Sequence, residues 1–475
     1  MSQTIAEASN LADLSSDYSL SPFAERLSPL IKETLRAQKK DRDRHGTKLV
    51  SSFVVWLVLG LTLRRDKNCM AVLDWLISGW RWLSCALPKQ LVAEGAISHA
   101  RVRVGVRVFQ VLFNRLVSTF HPLPTDFYQW VSVAFDGSTG SMPDSQENRD
   151  HFGKPKSRRR GEASAYPQIR WMSLLAIGPR LLLDVAYGPY AGKGTGERTL
   201  MMTILKRLSP TNFLYMVDAG LYSFVMMWQI QQQGNVFLLK VSRHPKLRVL
   251  KRWPDGSYLA EMNGKLLDPE HTTETRNAWT PKTLTVRVIA YQIPGFRATR
   301  LVTNILESSI TAKELVLQYH KRWDIELCFD EIKTHQCATL RGQMPTLFRS
   351  KRPDLVEQEL YAMMLLYNLI RETMLQAADR ADKDPLALSF LDSLQIIIDA
   401  IPQMSQPMAL AIGLQQQQYL LSLLASAEID RPRRPRVNDR VVKIKMSKFK
   451  RKTRNHRTRA RDVEKTLEII TPEAA

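Results

Sequence analysis

The chain has 475 residues, of which 44% are hydrophobic, so it is long enough for about two to four domains with a substantial core. Its formal net charge of +22 predicts a polyanionic partner, either nucleic acid or an anionic membrane surface. Four cysteines are too few for a disulfide-rich secreted scaffold. The N-terminus lacks the basic and apolar regions of a secretory signal, which favours a cytoplasmic protein.

Residues 1–125 are predicted to be helical, because apolar residues recur at spacings of three and four. The longest nearly apolar run, residues 50–63, is interrupted by Ser51 and Ser52. It is shorter than the ~20 residues that span a bilayer, so it is interpreted as a buried helix. A membrane is therefore the less favoured partner, and nucleic acid is the favoured one.

Residues 101–108 support two interpretations. Arginine and valine alternate there as in a strand, but the surrounding pattern is helical, which favours a helix. On a helix, Arg101, Arg103 and Arg107 are candidates for contacts to DNA phosphates or base edges, as in the second helix of a helix-turn-helix. The alternative is a solvated basic face without a ligand.

Two predicted strands end at aspartates. An alternating segment from about Tyr128 leads to Asp136, and the nearly all-apolar run 213–217 leads to Asp218. Strands near residues 169–177, 181–187 and 236–241 and helices near 197 and 222–232 complete an order of β-β-β-α-β-α-β. This order predicts an α/β fold, in which a mixed sheet carries flanking helices.

A β-rich insertion is predicted at residues 242–304, where turn signals separate short apolar runs. The core is expected to resume at residue 305. A long helix is predicted at about 355–378, followed by a weaker helical stretch at 388–424. Residues 401–430 are assigned to a helical C-terminal segment. From Arg431 to Arg461 there are 15 Lys or Arg residues against the single acid Asp439, a net charge of +14. Such a run, within the basic tail 431–475, is expected to be disordered unless it is bound.

A long helix is predicted from Thr311 to about His335, because Thr311 and Glu314 have the spacing of a capping box. Tyr319, Arg322, Glu326 and Lys333 follow at steps of three, four and seven residues, which places them on roughly one helix face. A carboxylate among donors suits a metal-assisted reaction on a phosphate substrate. An exposed face with intrahelical ion pairs is the alternative.

Asp136, Asp218 and Glu326 together have the composition of a three-carboxylate metal site. Three carboxylates repel one another without a cation, and oxygen ligands with a phosphate substrate favour Mg²⁺, with Mn²⁺ as a substitute. Two such ions can activate a water or a DNA hydroxyl and stabilise the leaving oxygen of a phosphodiester. Zinc is the alternative metal, and its candidate ligands are Cys328, His335 and Cys337. They lack the usual spacing of a zinc site and a fourth ligand, so the cysteines are interpreted as core thiols.

Several motifs resemble the insertion-sequence-4 family of bacterial DDE transposases. The spacing Tyr319-x2-Arg322-x3-Glu326-x6-Lys333 matches the family's Tyr-Arg-Glu-Lys motif. Further similarity lies at 135–138, 165–170, 183–189 and 217–222, and residues 46–75 resemble the family's amino-terminal domain. These motifs occur in the family's order and cover most of the chain.

The resemblance implies a ribonuclease-H-like catalytic core at 126–241 and 305–400, a helical DNA-binding domain at 1–125 and the β insertion between the core segments. It makes Asp136, Asp218 and Glu326 the catalytic and metal-binding triad, and it makes Tyr319, Arg322 and Lys333 contacts to phosphates at the element end. It also implies a nucleoid-associated bacterial protein and a homodimer in the synaptic complex.

The activity implied is cleavage at inverted-repeat ends, through a hairpin, and attack of the 3′-hydroxyl on target DNA. Two alternatives stay open: a metal-dependent nuclease on the same core that does not join DNA, and a non-catalytic inhibitor that binds element ends. Trp253 and Trp279 are candidates for stacking on a flipped base, but neither lies in a matching motif. The basic tail is a departure from the family, and non-specific DNA binding is the hypothesis for it.

Overall fold

The computed structural model describes residues 18–79, 91–155, 166–192, 194–208, 212–241, 247–267, 279–294, 298–336, 346–405, 410–429, 436–437 and 461–470. The chain divides into two compact units. The first comprises Met1–Leu123, Gly137–Leu200 and Glu326–Asp430, and the second comprises Pro124–Asp136, Met201–Ile325 and Arg431–Ala475. The predicted catalytic core therefore contributes residues to both units.

The elements up to the insertion follow in chain order. They are α1 (Ser21–Ala37), α2 (Ser51–Leu63), α3 (Cys69–Leu76), α4 (Glu94–Val104), α5 (Val106–Ser118), β1 (Val131–Ser141), α6 (Gln146–Phe152), β2 (Gln168–Ala176), β3 (Leu181–Pro189), α7 (Glu197–Arg207), β4 (Phe213–Val217), a 3-10 turn (Ala219–Leu221), α8 (Phe224–Gln232) and β5 (Val236–Val241).

The insertion and the C-terminal half follow. They contain β6 (Leu247–Arg252), β7 (Tyr258–Leu267), β8 (Trp279–Gln292), β9 (Thr299–Thr303), α9 (Ala312–His320), a 3-10 turn (Lys321–Trp323), α10 (Asp324–Asp330), a π-helical turn (Glu331–Gln336), α11 (Pro353–Arg380), a 3-10 turn (Pro385–Ala387), α12 (Phe390–Met404), α13 (Leu410–Ser426), β10 (Arg436–Val437), β11 (Arg461–Asp462), α14 (Val463–Thr466) and β12 (Glu468–Ile469).

The first unit is built around the long helix α11, which is buried along most of its length. Its neighbours include α2 and α5 from the N-terminal helices, α13, and strand β3 of the antiparallel β2–β3 hairpin. Helix α2 is buried on nearly all sides, which confirms the buried helix predicted for residues 50–63. Among the described helices, none is long and apolar enough to cross a membrane.

A buried ion pair ties α4 to α11 within the first unit. The Arg101 guanidinium is 3% exposed and lies 3.2 Å from Glu359, and it also donates to Gln358 and Ser350. Burial opposes ionisation of Glu359, but the charge of Arg101 leads the effects that outweigh it, so its pKa is below the usual range. Arg101 is thus part of the packing of the unit.

The second unit contains a mixed sheet. β1, β4 and β5 are parallel neighbours, and β9, β8, β7 and β6 continue the sheet in antiparallel fashion, in the spatial order β1-β4-β5-β9-β8-β7-β6. The β-rich character of the insertion is confirmed for the described residues of 242–304. Helix α9 packs on β5 and β8 of this sheet.

The tail and several boundaries differ from the predictions. Most of the basic tail lies outside the described residues, but its end forms β12, which pairs antiparallel with Tyr291–Gln292 of β8.

Helix α6 was not predicted, although Ser145 caps it by accepting the Asn148 N–H. Residues 101–108 are helical, as favoured, but Gly105 has a φ of 80° and divides them between α4 and α5.

His320, the last residue of α9, is largely buried among cationic neighbours. Its ring meets Tyr291 edge-on at 5.8 Å between centroids. Burial, followed by the charges of Lys240 and Arg322, lowers the pKa of His320 to about 4. The imidazole therefore remains neutral in the folded protein at pH values where a histidine in an unfolded chain is protonated.

We predict that replacing Arg101 by Ala lowers the free energy of unfolding by about 3–5 kcal/mol, because it leaves the Glu359 carboxylate buried without its ion-pair partner. Denaturant titration measures this change. The exposed Arg107 is the control, and its replacement by Ala should change stability by less than about 0.5 kcal/mol. A normally stable Arg101→Ala variant with weakened DNA binding would restore the DNA-contact interpretation.

We also predict that stability falls as the pH is lowered from about 6.5 to about 4. In that window the unfolded chain takes up a proton at His320 that the folded protein does not, so protonation favours unfolding. Above that window this contribution is constant. Thermal unfolding at several pH values should show a shallower dependence for His320→Gln than for wild type, whereas His45→Gln, at an exposed position, should leave it unchanged.

Candidate active site

Asp136 and Asp218 occupy matching positions on two neighbouring parallel strands of the second unit. β1 and β4 pair in register from Val131 opposite Phe213 to Ala134 opposite Met216. Two further residues along each chain, this register places Asp136 beside Asp218. Paired strands lie roughly 4.8 Å apart and equivalent positions face the same side, so the two carboxylates project together.

The position of Asp136 differs in one respect from the prediction. β1 does not end there but continues to Ser141, so Asp136 lies within a strand. Its parallel partner β4 does end at Val217, directly before Asp218. The sheet edge that exposes the two aspartates is therefore produced by the end of β4 alone.

The Asp218 side chain has both a local and a distant partner. One carboxylate oxygen accepts the Gly220 N–H at 3.4 Å and caps the 3-10 turn that follows β4. The other lies 3.9 Å from the Arg322 guanidinium, and the Asp218 side chain remains 49% exposed. The carboxylate is thus oriented from two sides and still open to solvent.

Tyr319 and Arg322 hold the end of β4 within the second unit. The Tyr319 hydroxyl is buried and donates to the Val217 carbonyl at 3.2 Å, directly before Asp218. Burial raises the pKa of this phenol above its ordinary value, so it remains a donor. Arg322 is 6% exposed, with its guanidinium 5.9 Å from the Tyr319 ring centre. Both side chains therefore position Asp218, and their contacts to phosphate stay predictions.

The helix that carries these residues is less regular than predicted. The helical segment does extend from Ala312 to Gln336, and Thr311 and Glu314 form the expected capping box. Between its α-helical parts lie a 3-10 turn at Lys321–Trp323 and a π-helical turn at Glu331–Gln336. The predicted common face assumed a uniform helical period, and these turns do not follow that period.

A buried charged cluster in the first unit holds the π-helical turn. Glu331 accepts a hydrogen bond from the Tyr367 hydroxyl at 2.9 Å, and it pairs with Arg180 at 3.3 Å and with Arg371. π-helical turns often occur at functional sites. Here the turn contains Lys333 and begins five residues after Glu326.

Glu326 and Lys333 are exposed residues of the first unit. The Lys333 ammonium donates to the Ser138 hydroxyl at 3.1 Å and lies 5.9 Å from the ring centre of Trp171, which is fully buried. Desolvation lowers the pKa of Lys333 below its ordinary value. Sequence reasoning missed Ser138. Its position two residues after Asp136 in a strand was the available signal, because such residues face the same side.

The structure corrects the role predicted for Arg101, whereas the DNA contacts predicted for Arg103 and Arg107 stay predictions. Arg101 is buried in its ion pair with Glu359, so it is not available to DNA. Arg103 is 42% exposed at its side chain and pairs with Asp43 at 3.3 Å. Arg107 is exposed and donates to Gln110. Because a single residue separates α4 from α5, this segment also lacks the short turn of a helix-turn-helix.

The residues present suit a hard divalent cation better than zinc. Among the described residues, no three His, Cys, Asp or Glu side chains are grouped so as to hold a metal ion. Asp136 and Asp218 offer oxygen donors from adjacent strands, the ligand type that Mg²⁺ prefers. Cys328 is a buried free thiol whose pKa burial raises to about 12, as expected of a core cysteine. Cys337 lies outside the described residues.

Known proteins resemble the chain over most of its length. The family model for the insertion element 4 transposase N-terminal region matches residues 18–114, and the model for the transposase DDE domain matches residues 133–369. The transposase InsG for insertion sequence element IS4 of Escherichia coli (strain K12) is 24% identical over 391 residues, which cover 80% of this chain and 82% of that protein.

A second relative from the same organism matches a shorter part. The putative transposase InsZ of Escherichia coli (strain K12) is 27% identical over 147 residues, which are 30% of this chain and 48% of that protein. The two family models together account for the helices up to residue 114 and for the segments that carry Asp136, Asp218 and Glu326. On these matches, the chain belongs to the insertion-element-4 family of DDE transposases.

Proposed function

We propose that the chain cleaves DNA at the ends of an insertion sequence and joins the resulting 3′-hydroxyl to target DNA, with Asp136, Asp218 and Glu326 as the catalytic triad. The observation that carries the proposal is the register of β1 and β4, which sets Asp136 beside Asp218. Family membership supplies the reaction class, phosphoryl transfer on DNA. Excision as cut-and-paste, through a hairpin on the element end, and a homodimer that holds both ends belong to the same proposal.

Asp136, Asp218 and Glu326 would hold two Mg²⁺ ions, with Mn²⁺ as a substitute. When bound, such ions supply charge stabilisation at the scissile phosphate and a more acidic water or hydroxyl nucleophile. The carboxylates offer the oxygen donors, and mutual repulsion between neighbouring carboxylates gives a cation a further reason to bind. Arg322, 3.9 Å from Asp218, partly offsets that repulsion and orients the carboxylate.

Phosphate recognition is proposed for Lys333, whereas Arg322, which is 6% exposed, is proposed to act mainly on the Asp218 carboxylate. The Lys333 ammonium is exposed and already has a hydroxyl neighbour in Ser138, so a phosphate oxygen can replace or join that contact. Tyr319 is proposed to act mainly through the end of β4, because its hydroxyl donates to the Val217 carbonyl. Arg103 and Arg107 remain proposed DNA contacts, since both are at least partly exposed.

The triad is tested by incubating the protein with Mg²⁺, labelled inverted-repeat ends and a supercoiled target plasmid. Wild type should release cut ends and produce joined product. Asp136→Asn, Asp218→Asn and Glu326→Gln should each lower cleavage by roughly 10³-fold or more, because catalytic groups that act as a unit fail together. Binding to end DNA in Ca²⁺ should remain within about threefold of wild type.

The outcomes of this assay separate the competing functions. Cut ends without joined product would support the nuclease, and binding with neither product would support the inhibitor. Cleavage that survives Glu326→Gln would remove Glu326 from the triad. Calorimetric titration with Mg²⁺ and Mn²⁺ provides a readout apart from activity, and Asp218→Asn should weaken the binding of both ions.

The basic tail is proposed to bind DNA non-specifically. Changing the Lys and Arg residues between 438 and 460 to Gln should make DNA affinity less dependent on salt, since each lost phosphate contact removes ~0.9 from the log–log slope. Fluorescence anisotropy from low to high salt measures the slope. A scrambled segment of the same composition should retain the wild-type slope, and an unchanged slope in the neutralised variant would exclude a role of the tail in DNA binding.

A further inference from the structure

A fully buried arginine lies in the β insertion of the second unit. Arg287, on β8, is 0% exposed, and every nitrogen of its guanidinium has a partner. Nε donates to the Ser257 hydroxyl at 2.9 Å, and Nη2 pairs with the Asp255 carboxylate. Nη1 donates to the Ile310 carbonyl at 2.6 Å and to the Glu307 carbonyl at 3.1 Å. A buried charge is tolerated only when it is paired in this way.

These contacts join three segments that are distant in sequence. Ser257 and Asp255 belong to the turn between β6 and β7, Arg287 to β8, and Glu307 and Ile310 to the segment that leads into α9. Arg287 therefore fixes the start of α9 relative to the strands of the insertion. The planar guanidinium allows this because it presents five donors in a rigid fork.

Asp255 binds the first residue of α9 directly. Its Oδ2 accepts the Ala312 N–H at 2.8 Å, and its other oxygen accepts the Ser257 hydroxyl at 2.6 Å. Burial opposes ionisation of Asp255, but these hydrogen bonds and the charge of Arg287 outweigh it, so the pKa of Asp255 is below the usual range. An ionised carboxylate at a helix N-terminus is favourable, since unsatisfied N–H groups and the helix dipole both attract it.

Trp253 completes the cluster from the other side. Its ring centre lies 4.2 Å from the Arg287 guanidinium carbon, and its backbone N–H donates to the Ser257 carbonyl at 2.8 Å. The indole thus covers the face of the guanidinium, and the backbone hydrogen bond closes the turn. This contact gives Trp253 a role that does not involve a flipped DNA base.

The end of α9 and the 3-10 turn that follows it carry the groups that hold the end of β4. Arg322 lies ten residues after Ala312, or roughly 15 Å along a helix. Its guanidinium is 3.9 Å from Asp218, and the Tyr319 hydroxyl holds the preceding carbonyl. Packed helices move as stiff bodies, so a shift at Ala312 is transmitted to Arg322.

We propose that the Arg287–Asp255 pair is a positioning device through which the β insertion sets Arg322 against Asp218. The insertion then contributes to the cleavage reaction in addition to separating the core segments in sequence. This inference rests on the proposed function, because it takes Asp218 to be part of the cleavage site. Arg287 and Asp255 act through α9 and do not touch the substrate.

A double-mutant cycle tests the proposal. Arg287→Lys keeps the positive charge but loses the fork that reaches four acceptors. It should lower single-turnover cleavage of end DNA by roughly tenfold to a hundredfold, the loss expected from a small misplacement of a catalytic group. The Kd for end DNA should stay within about twofold of wild type. In an Arg322→Lys background, the same Arg287→Lys change should cost less than about threefold further, because the two residues act in series.

Arg101→Lys is the matched control, since Arg101 also forms a buried ion pair with a carboxylate but lies in the first unit. It should lower the melting temperature as Arg287→Lys does. The loss of cleavage in the Arg101→Lys, Arg322→Lys double variant should equal the product of the two single losses, because the two residues act independently. If the Arg287→Lys, Arg322→Lys double variant also shows the product of its single losses, the proposal is overturned. So would a changed Kd with an unchanged cleavage rate.

Hydrogen exchange provides a readout that does not depend on cleavage. Amides of residues 312–320 should exchange faster in Arg287→Lys and in the milder Ser257→Ala, which removes only the hydroxyl shared by Arg287 and Asp255. They should be unchanged in Arg101→Lys. If the amides of residues 312–320 exchange at the wild-type rate in both Ser257→Ala and Arg287→Lys, the positioning proposal is overturned even if wild type cleaves DNA. Absence of cleavage by wild type, with altered exchange in the variants, would instead count against the proposed function alone.

Discussion

The candidate site depends first on the parallel pairing of β1 and β4. Parallel neighbours in register bring equivalent positions to within one strand spacing and turn their side chains to the same face. For Asp136 and Asp218, extending this register by two residues sets the two positions side by side. Within the second unit, the Arg322 guanidinium lies 3.9 Å from the Asp218 carboxylate.

Cationic residues in this chain serve two distinct purposes. Arg101, Arg287 and Arg371 are buried and paired with carboxylates, so they determine how helices and turns are packed. Lys333, Arg103 and Arg107 are exposed to a greater degree and are therefore the ones that can meet a polyanion. The net charge of +22 does not distinguish these groups, because burial decides which charges a DNA phosphate can reach.

The insertion and the segment 312–336 contain irregular elements whose backbone is held by polar side chains. The start of α9 is held by the Asp255 carboxylate, and a 3-10 turn follows at Lys321–Trp323. In the other unit, the π-helical turn is held by the buried Glu331 cluster. Each departure from a regular helix coincides with buried polar contacts that specify the local backbone.

Local patterns in the sequence determined much about this protein. The alternating and all-apolar runs located β1 to β5, the Thr311 capping box located the start of α9, and the motif spacing identified the family and the candidate triad. These features depend on neighbours within a few residues, so a single chain reveals them. The segment 50–63 was likewise recognised as a buried helix from composition alone.

Only the tertiary structure decided which polar side chains are buried and what they hold. No local pattern marks Arg101 as the partner of Glu359, 258 residues away, or Arg287 as the partner of Asp255 across two strands. The same limit applies to the π-helical turn, since its backbone is set by Tyr367, Arg180 and Arg371 and not by the helical propensity of residues 331–336. A sequence shows the local secondary-structure preference of each segment. Long-range ion pairs and hydrogen bonds arise only once the chain has folded and excluded water from them.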